Sequence, residues 1–324
     1  MSDGCTCEAT VVSSINNIVA ARLGDGQVIR SRIKGKVLDL NATEYNPLAP
    51  GDRVCLDEDG HSFLVAARLP RRNAFRRWNS KRMALQTLAA NLDVVYVCLS
   101  VQKPPFRPRF ADRALALAEL EGLSAEVIVN KADLGVDAEA HERLQYFRTM
   151  GYRVHIVSAR TCVGVEALKR ELPGRAAFSG HSGVGKSSIL NVLYPHLDRT
   201  VRELSRKYDR GAHTTRFGEL LSCGDHELVD TPGVRELSLY PRRGDEIAWA
   251  YRDIRVFGED CRLQNCTHVH EPGCAVIDAF ERGDLHEDRY ESYLRVLEQL
   301  HSEAEQDTDY SRRASRGGTE YKRG

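Results

Sequence analysis

Three groups of residues in this 324-residue chain have the types and spacing to do chemistry. The stretch GHSGVGKS at 180–187 fits the pattern G-x-x-x-x-G-K-[ST], with a short apolar run before it and a helical pattern after it. Gly180, Gly183 and Gly185 let the backbone curl until its N–H groups face phosphate oxygens at a helix N-terminus. His181, Ser182, Val184 and Ser188 complete the wall of that loop. Lys186 is placed to neutralise β- and γ-phosphate charge, and Ser187 to ligate Mg²⁺. Downstream, DTPG at 230–233 follows the apolar run HELVD, so Asp230 would hold the Mg²⁺ shell and Gly233 would offer its N–H to a γ-phosphate. Between them, DRGAHTTR at 209–216 has the polar, glycine-containing character of a switch loop. Thr215 is the expected second Mg²⁺ ligand there, with Thr214 the near alternative, and His213 is a candidate for positioning water.

The second group is NKAD at 130–133, behind the apolar run AEVIV. A carboxylate at Asp133 accepts from both the N1–H and the exocyclic amine of guanine, whereas adenine presents an acceptor at N1. Asn130 would brace the loop, the Lys131 stem would lie along the base, and Ala132 completes the turn. The apolar run ending in VSAR at 157–160 places Ser158 and Ala159 to back the base through their N–H groups. This guanine half precedes the phosphate half in the chain. The order is no obstacle if both halves sit at the ends of parallel strands, because strand order in a sheet is independent of order in the chain.

The third group is CRLQNCTHVHEPGC, in which Cys261, Cys266, His268 and Cys274 have the spacing C-x₄-C-x-H-x₅-C. Three thiolates and one imidazole make a closed tetrahedral Zn²⁺ site, hence a structural one. His270 is a competing ligand.

The elements that must hold these groups follow from the pattern of the remaining residues. Residues 8–68 alternate short β-rich runs with the turn signals GDG, PGD and EDG, which predicts an all-β unit of about five or six strands. An OB-fold and an SH3-like barrel both fit, and the OB-fold is the reading carried forward. From residue 92 apolar strands alternate with amphipathic helices, the texture of a mostly parallel α/β sheet. A helix is expected near 287–302, with Tyr290, Tyr293, Leu294, Leu297 and Leu300 on one face. The domains read as a barrel over 1–75 with a basic linker to about 90, an α/β domain over 76–240, a mostly helical zinc-binding domain over 241–302, and a disordered polar tail over 303–324.

Hydrophobic residues are 42% and charged residues 28%, which suits a globular fold, and no apolar run approaches the ~20 residues of a membrane span. The opening MSDGCTCEAT shows no secretory signal, so a cytoplasmic protein without membrane attachment is expected, and the chain is read as a monomer. Net charge is zero, yet RLPRRNAFRRWNSKR at 68–82 collects seven cations with Phe75 and Trp78 among them. Such a segment either grips nucleic acid or packs as an exposed linker on its neighbours. Of the nine cysteines, Cys55, Cys98 and Cys223 read as small core residues and Cys5 and Cys7 as inert thiols, with no disulfide framework.

The order guanine motif, SAR, phosphate loop, HTT and DTPG resembles that of the circularly permuted GTPases. A barrel before it and a Cys/His cluster after it narrow the resemblance to the ribosome small-subunit-dependent GTPase family, RsgA (YjeQ-like), over about residues 8–300. The resemblance implies a Mg²⁺-dependent GTP hydrolase that binds GTP and GDP and docks on the small ribosomal subunit and its rRNA late in assembly. It also implies one structural zinc per chain and a nucleotide-driven switch that leads directly into the zinc domain. Val234 stands where many GTPases carry a water-orienting glutamine, so slow intrinsic hydrolysis is expected. Gly183 stands where potassium-activated relatives have asparagine, so K⁺ activation is not expected. Two other classes also accommodate the motifs: a GTP-gated RNA-binding module with incidental hydrolysis, and an unrelated P-loop ATPase.

Overall fold

In the computed structural model, residues 5–15, 17–34, 44–60, 62–195, 218–234, 237–240 and 244–317 are described, with helix side chains up to Ser302. His213, Thr214 and Thr215 lie outside the described residues. The chain divides into two units, Met1–Ser238 and Leu239–Gly324.

The first unit opens with a closed barrel of β1 (Cys7–Ile15), β2 (Ile18–Leu23), β3 (Val28–Ile33), β4 (Arg53–Asp59) and β5 (Ser62–Arg68). Its strand order is β1-β2-β3-β5-β4, closed by β4 on β1, with only β3 and β5 parallel. That is the OB order, and closure leaves no strand edge unpaired. Alternate residues Val11, Val19, Ala21, Val54, Leu56 and Val65 fill the interior, and Leu48 joins them.

Two expectations change here. Cys55 and Cys5 are joined by a disulfide rather than being a core thiol and an inert one. Their Cα atoms are 5.4 Å apart, within the span a disulfide bridges, where the segment before β1 lies beside β4. The basic segment, in turn, is no exposed linker. It forms a hairpin, β6 (Ala74–Asn79) and β7 (Ala84–Ala90), and its arginines point at partners within the unit. Arg71 makes a two-pronged pair with fully buried Asp52 at 2.6 and 2.8 Å, Arg68 meets Glu44 at 3.0 Å, Arg72 meets Asp93 at 2.6 Å, and Arg76 holds Glu121 at 2.7 and 2.9 Å. A carboxylate placed opposite each fork converts a basic run into ties between elements.

The α/β part is a six-stranded sheet of β8 (Val94–Ser100), β9 (Ala125–Asn130), β10 (Val154–Ile156), β11 (Arg175–Gly180), β12 (Glu219–Cys223) and β13 (His226–Asp230). The order is β10-β9-β8-β11-β13-β12, parallel throughout except for β12 against β13. Strand β8 reads VVYVCLS and is buried at every residue, as a central parallel strand covered on both faces must be. Its cover includes α1 (Pro108–Leu120), which begins on a proline already set for a helix's first turn. Helix α2 (Ala138–Thr149) is capped by Asp137, which accepts from the Ala140 N–H, while α3 (Val165–Arg170) and α4 (Lys186–Leu193) complete the layers. Arg143 of α2 and Asp112 of α1 form a buried pair at 2.6 Å. Arg175, at the start of β11, reaches both Glu227 and the Gly51 carbonyl, and Arg22 of the barrel also holds Glu227, so the barrel is fixed to the amino ends of these strands.

The second unit contains α5 (Gly244–Trp249), α6 (Arg252–Gly258), α7 (Ala275–Glu281) and α8 (Glu287–Gly317). Tyr290, Tyr293, Leu297 and Leu300 of α8 are buried as the periodicity predicts, while Val296 replaces half-buried Leu294 on that face. The helix also runs on to Gly317, through most of the segment expected to be disordered. Residues 302–316 are polar but hold no proline or glycine, and their Glu, Gln, Ala and Arg extend a helix already nucleated by packing.

Candidate functional site

The carboxyl end of β11 turns through residues 180–185 into α4, so the loop's N–H groups converge at a helix N-terminus. Gly180 pairs with Cys98 of β8, and any Cβ there would collide with the Cys98 carbonyl. Gly185 has φ +95°, and a side chain there would strike the Asn130 amide. Lys186 is buried at 7% exposure, and its Nζ donates to the Gly180 carbonyl at 3.0 Å. The ammonium is thus tied to the loop whose phosphate ligand it would neutralise.

Asp230 ends β13, the neighbour of β11 on the other side. Ser187 donates its hydroxyl to Asp230 Oδ2 at 2.9 Å. Burial raises the Asp230 carboxyl above the usual carboxylate range, with Lys186 and the Ser187 hydrogen bond pulling it back. Its other oxygen, Oδ1, is buried with no hydrogen-bond partner among the described residues. A buried acceptor left unpaired beside a hydroxyl is an oxygen-donor set suited to a hard divalent cation, and Mg²⁺ with its waters fits it. Thr231, which the sequence reading passes over, donates its hydroxyl to the Phe178 carbonyl at 2.8 Å and so ties the DTPG turn to β11. Gly233 lies against Ser182, where a Cβ would approach the Ser182 Cα to 3.0 Å. Val234 is buried at 4% exposure.

One strand beyond β8, β9 ends at Asn130. Neighbouring strands are about 4.8 Å apart, so the β9 and β11 ends are about 10 Å apart, a span that one loop bridges. Asn130 is buried and works in both directions: its Nδ2 donates to the Val184 carbonyl at 3.0 Å, and its Oδ1 accepts from the Lys131 and Ala159 N–H groups at 2.8 and 3.0 Å. Lys131 takes a left-handed φ of +66°, and its Nζ donates to the Gly183 carbonyl at 2.8 Å and to that of Lys103. Burial lowers the Lys131 ammonium, with Asp133 acting the other way. Asp133 sits in a single 3₁₀ turn, Ala132–Leu134, where Oδ1 accepts from the Ser158 hydroxyl at 2.6 Å and Arg160 stands 3.5 Å from Oδ2. The described residues of the guanine and phosphate motifs therefore share one strand-end face of the sheet.

A loop that carried no motif joins them. Residues 101–107, after β8, give the Lys103 carbonyl to Lys131, set Pro104 against Gly183, and end at Arg107, whose Nη1 meets His181 Nε2 at 2.9 Å. Only its adjacency to β8 could have pointed to it, since β8 lies between the two motif strands.

In the second unit, the ligand atoms of Cys261, Cys266, His268 and Cys274 all lie within 4.8 Å of one another. Cys261 and Cys274 sulfurs are 3.8 Å apart, and His268 Nδ1 is 3.3 Å from Cys274 Sγ. A tetrahedron with Zn–S bonds of about 2.3 Å has an edge of about 3.8 Å, so the residues present fit Zn²⁺. His270 is exposed and stands outside the four-atom cluster. Tyr290 and Tyr293 of α8 donate to the His268 and Thr267 carbonyls at 2.6 and 2.7 Å. Glu271 gathers the Thr267 hydroxyl and the Thr267 and Val269 N–H groups. Desolvation raises its carboxyl, but these hydrogen bonds win and hold it down to about 2.

The RsgA GTPase family model matches residues 68–240. The small ribosomal subunit biogenesis GTPase RsgA of Borrelia recurrentis is 34% identical over 293 residues, covering 90% of this chain and 93% of the relative. RsgA 2 of Bacteroides thetaiotaomicron is 36% identical over 299 residues, 89% of this chain and 95% of the relative. Among solved structures, YjeQ from Thermotoga maritima aligns with a TM-score of 0.68 at 29% identity over 91% of this chain and 98% of its own. YloQ, a circularly permuted GTPase, aligns with 0.66 at 24% identity over 91% and 95%, and shows the shared fold.

Proposed function

Because this chain belongs to the RsgA GTPase family, and is on that account a GTPase, we propose that it hydrolyses GTP on the small ribosomal subunit during late maturation. In this reading it binds rRNA, is stimulated by the subunit, and passes its nucleotide state along the chain to the zinc-binding unit. The observation that carries it is Asn130, whose one amide bridges the NKAD turn, the SAR loop and the phosphate loop. That contact supports a guanine site and a phosphate site acting as one.

In this proposal Asp133 reads the guanine edge, with Ser158 holding the carboxylate in place. The N–H groups of 182–188 cradle the phosphates, Lys186 balances their charge, and the Gly233 N–H meets the γ-phosphate. Ser187 and Thr215 would hold Mg²⁺, with Asp230 behind them, and the ion would supply charge neutralisation to the phosphates. The zinc cluster is structural, one ion per chain on Cys261, Cys266, His268 and Cys274. A cytoplasmic, monomeric protein without membrane attachment belongs to the same proposal; among the described residues no helix is long and apolar enough to cross a membrane. The test is GTP turnover with small subunits, with large subunits and with neither. Stimulation by small subunits alone is expected, and equal rates in all three would remove the ribosomal role.

One observation favours a second reading, a GTP-gated RNA-binding module. Val234 is aliphatic and buried, so it cannot orient water. GTP-dependent binding to small subunits without a rise in turnover would select that reading.

A further inference from the structure

His181, the second residue of the phosphate loop, holds two hydrogen bonds that only one protonation pattern allows. Its Nδ1 lies 2.9 Å from the Ser182 carbonyl oxygen, which can only accept, so Nδ1 carries the proton. Its Nε2 lies 2.9 Å from Arg107 Nη1, which can only donate, so Nε2 offers its lone pair. The guanidinium therefore sets the neutral Nδ1–H tautomer, and the imidazole holds the Ser182 carbonyl.

The consequence follows from peptide geometry. In a planar trans peptide the C=O and the next N–H point in opposite directions. Holding the Ser182 carbonyl on the imidazole side aims the Gly183 N–H to the other side. The next two carbonyls are held by the guanine loop: Gly183 by Lys131 Nζ at 2.8 Å and Val184 by Asn130 Nδ2 at 3.0 Å. Three successive carbonyls, 182 to 184, are thus gripped by side chains; of the N–H groups that follow them, those of Gly183 and Gly185 turn away from the grips, while that of Val184 donates to the His181 carbonyl at 3.4 Å. An array of such N–H groups is an anion nest, and its attraction for phosphate depends on being aimed before the ligand arrives.

We infer that His181 is a positioning residue for nucleotide phosphates, held in its working tautomer by Arg107, and that the pair pre-aims the Gly183 N–H. Neither residue belongs to the guanine motif, and Arg107 comes from the loop after β8 rather than from any nucleotide motif. The inference rests on the phosphate-loop reading given above.

The experiment is a double-mutant cycle on the full-length protein, read as Kd for GDP, with guanosine as a phosphate-free probe. His181→Leu removes both hydrogen bonds and is expected to weaken GDP on the order of five- to tenfold, the scale of one hydrogen bond. Guanosine binding should stay unchanged, because the base site is untouched. His181→Asn places an amide N–H where Nδ1 stands and is expected to recover GDP affinity to within about twofold. Arg107→Ala should weaken GDP in the wild-type background and have no effect in His181→Leu, since the pair acts as a unit. Wild-type GDP affinity in His181→Leu, an Asn variant as weak as Leu, or additive effects of the two substitutions would each overturn the inference. Failure of the wild-type protein to bind GDP would instead remove the functional reading on which it stands.

Discussion

The Asn130 carboxamide donates to the Val184 carbonyl at 3.0 Å, joining the last residue of β9 to the loop that follows β11 across an intervening strand. The two residues are 54 positions apart in the chain, and the amide is buried to 2% exposure. With Oδ1 already taken by two backbone N–H groups, every part of this side chain is committed.

Asn130→Ala should therefore weaken GTP and GDP alike and destabilise the first unit, since it leaves the Val184 carbonyl and two backbone N–H groups without their partner. About 1–3 kcal/mol of stability is expected to go, the range for buried polar groups left unpaired. Urea denaturation paired with GDP titration measures both; loss of affinity with unchanged stability would mean that the amide serves the ligand alone.

Asp133→Asn tests the base reading. The carboxylate is held by the Ser158 hydroxyl, so an isosteric amide keeps the shape and changes only the donor pattern. Guanine's amine and N1–H then lose an acceptor, and GTP affinity should fall on the order of a hundredfold or more. Xanthine carries a carbonyl where guanine has the amine, so competition with xanthosine diphosphate should improve. Unaltered nucleotide preference would mean that Asp133 does not read the base.

Zinc content is the next measurement. One zinc per chain is expected by elemental analysis, and Cys274→Ser should hold it far more weakly, because one thiolate of the four-ligand set is lost. Tyr290 and Tyr293 anchor α8 to the carbonyls of residues 268 and 267, so metal loss should expose the α8 amides to exchange. GDP affinity should persist, since all residues proposed to bind nucleotide lie within Met1–Ser238.

Arg71 decides whether the basic segment is structural. Its partner Asp52 is fully buried and also accepts from the Ala49 N–H at 2.8 Å. Truncating one member of a buried pair strands the other, so Arg71→Ala is expected to cost about 3–5 kcal/mol of unfolding free energy. An Arg71→Ala protein of wild-type stability that binds small subunits poorly would return Arg71 to nucleic-acid contact.

Nucleotide state should also be readable beyond the switch. DTPG ends at Gly233, and the division between the units falls soon after it, between Ser238 and Leu239. Hydrogen exchange over 240–300 is expected to differ between GDP and a non-hydrolysable GTP analogue. Identical protection in the two states would argue against coupling along the chain.

Most of the candidate site was written in local spacing. The curl of GHSGVGKS, the carboxylate of NKAD and the four ligands at 261–274 are short-range patterns, because each is a donor set whose residues must sit within one turn or knuckle. The alternation of residues 8–68 and the unbroken apolar run of β8 likewise follow from which faces are buried. What spacing could not supply was pairing between distant segments. The strand order that sets β8 between β9 and β11, the carboxylates facing the arginines of 68–77, the Cys5–Cys55 bond and the Arg107–His181 contact all depend on long-range register. Register is chosen by the packing of the whole unit, so only the tertiary structure decided that two motifs in inverted order stand together at one end of the sheet, and that an unmarked loop ties them.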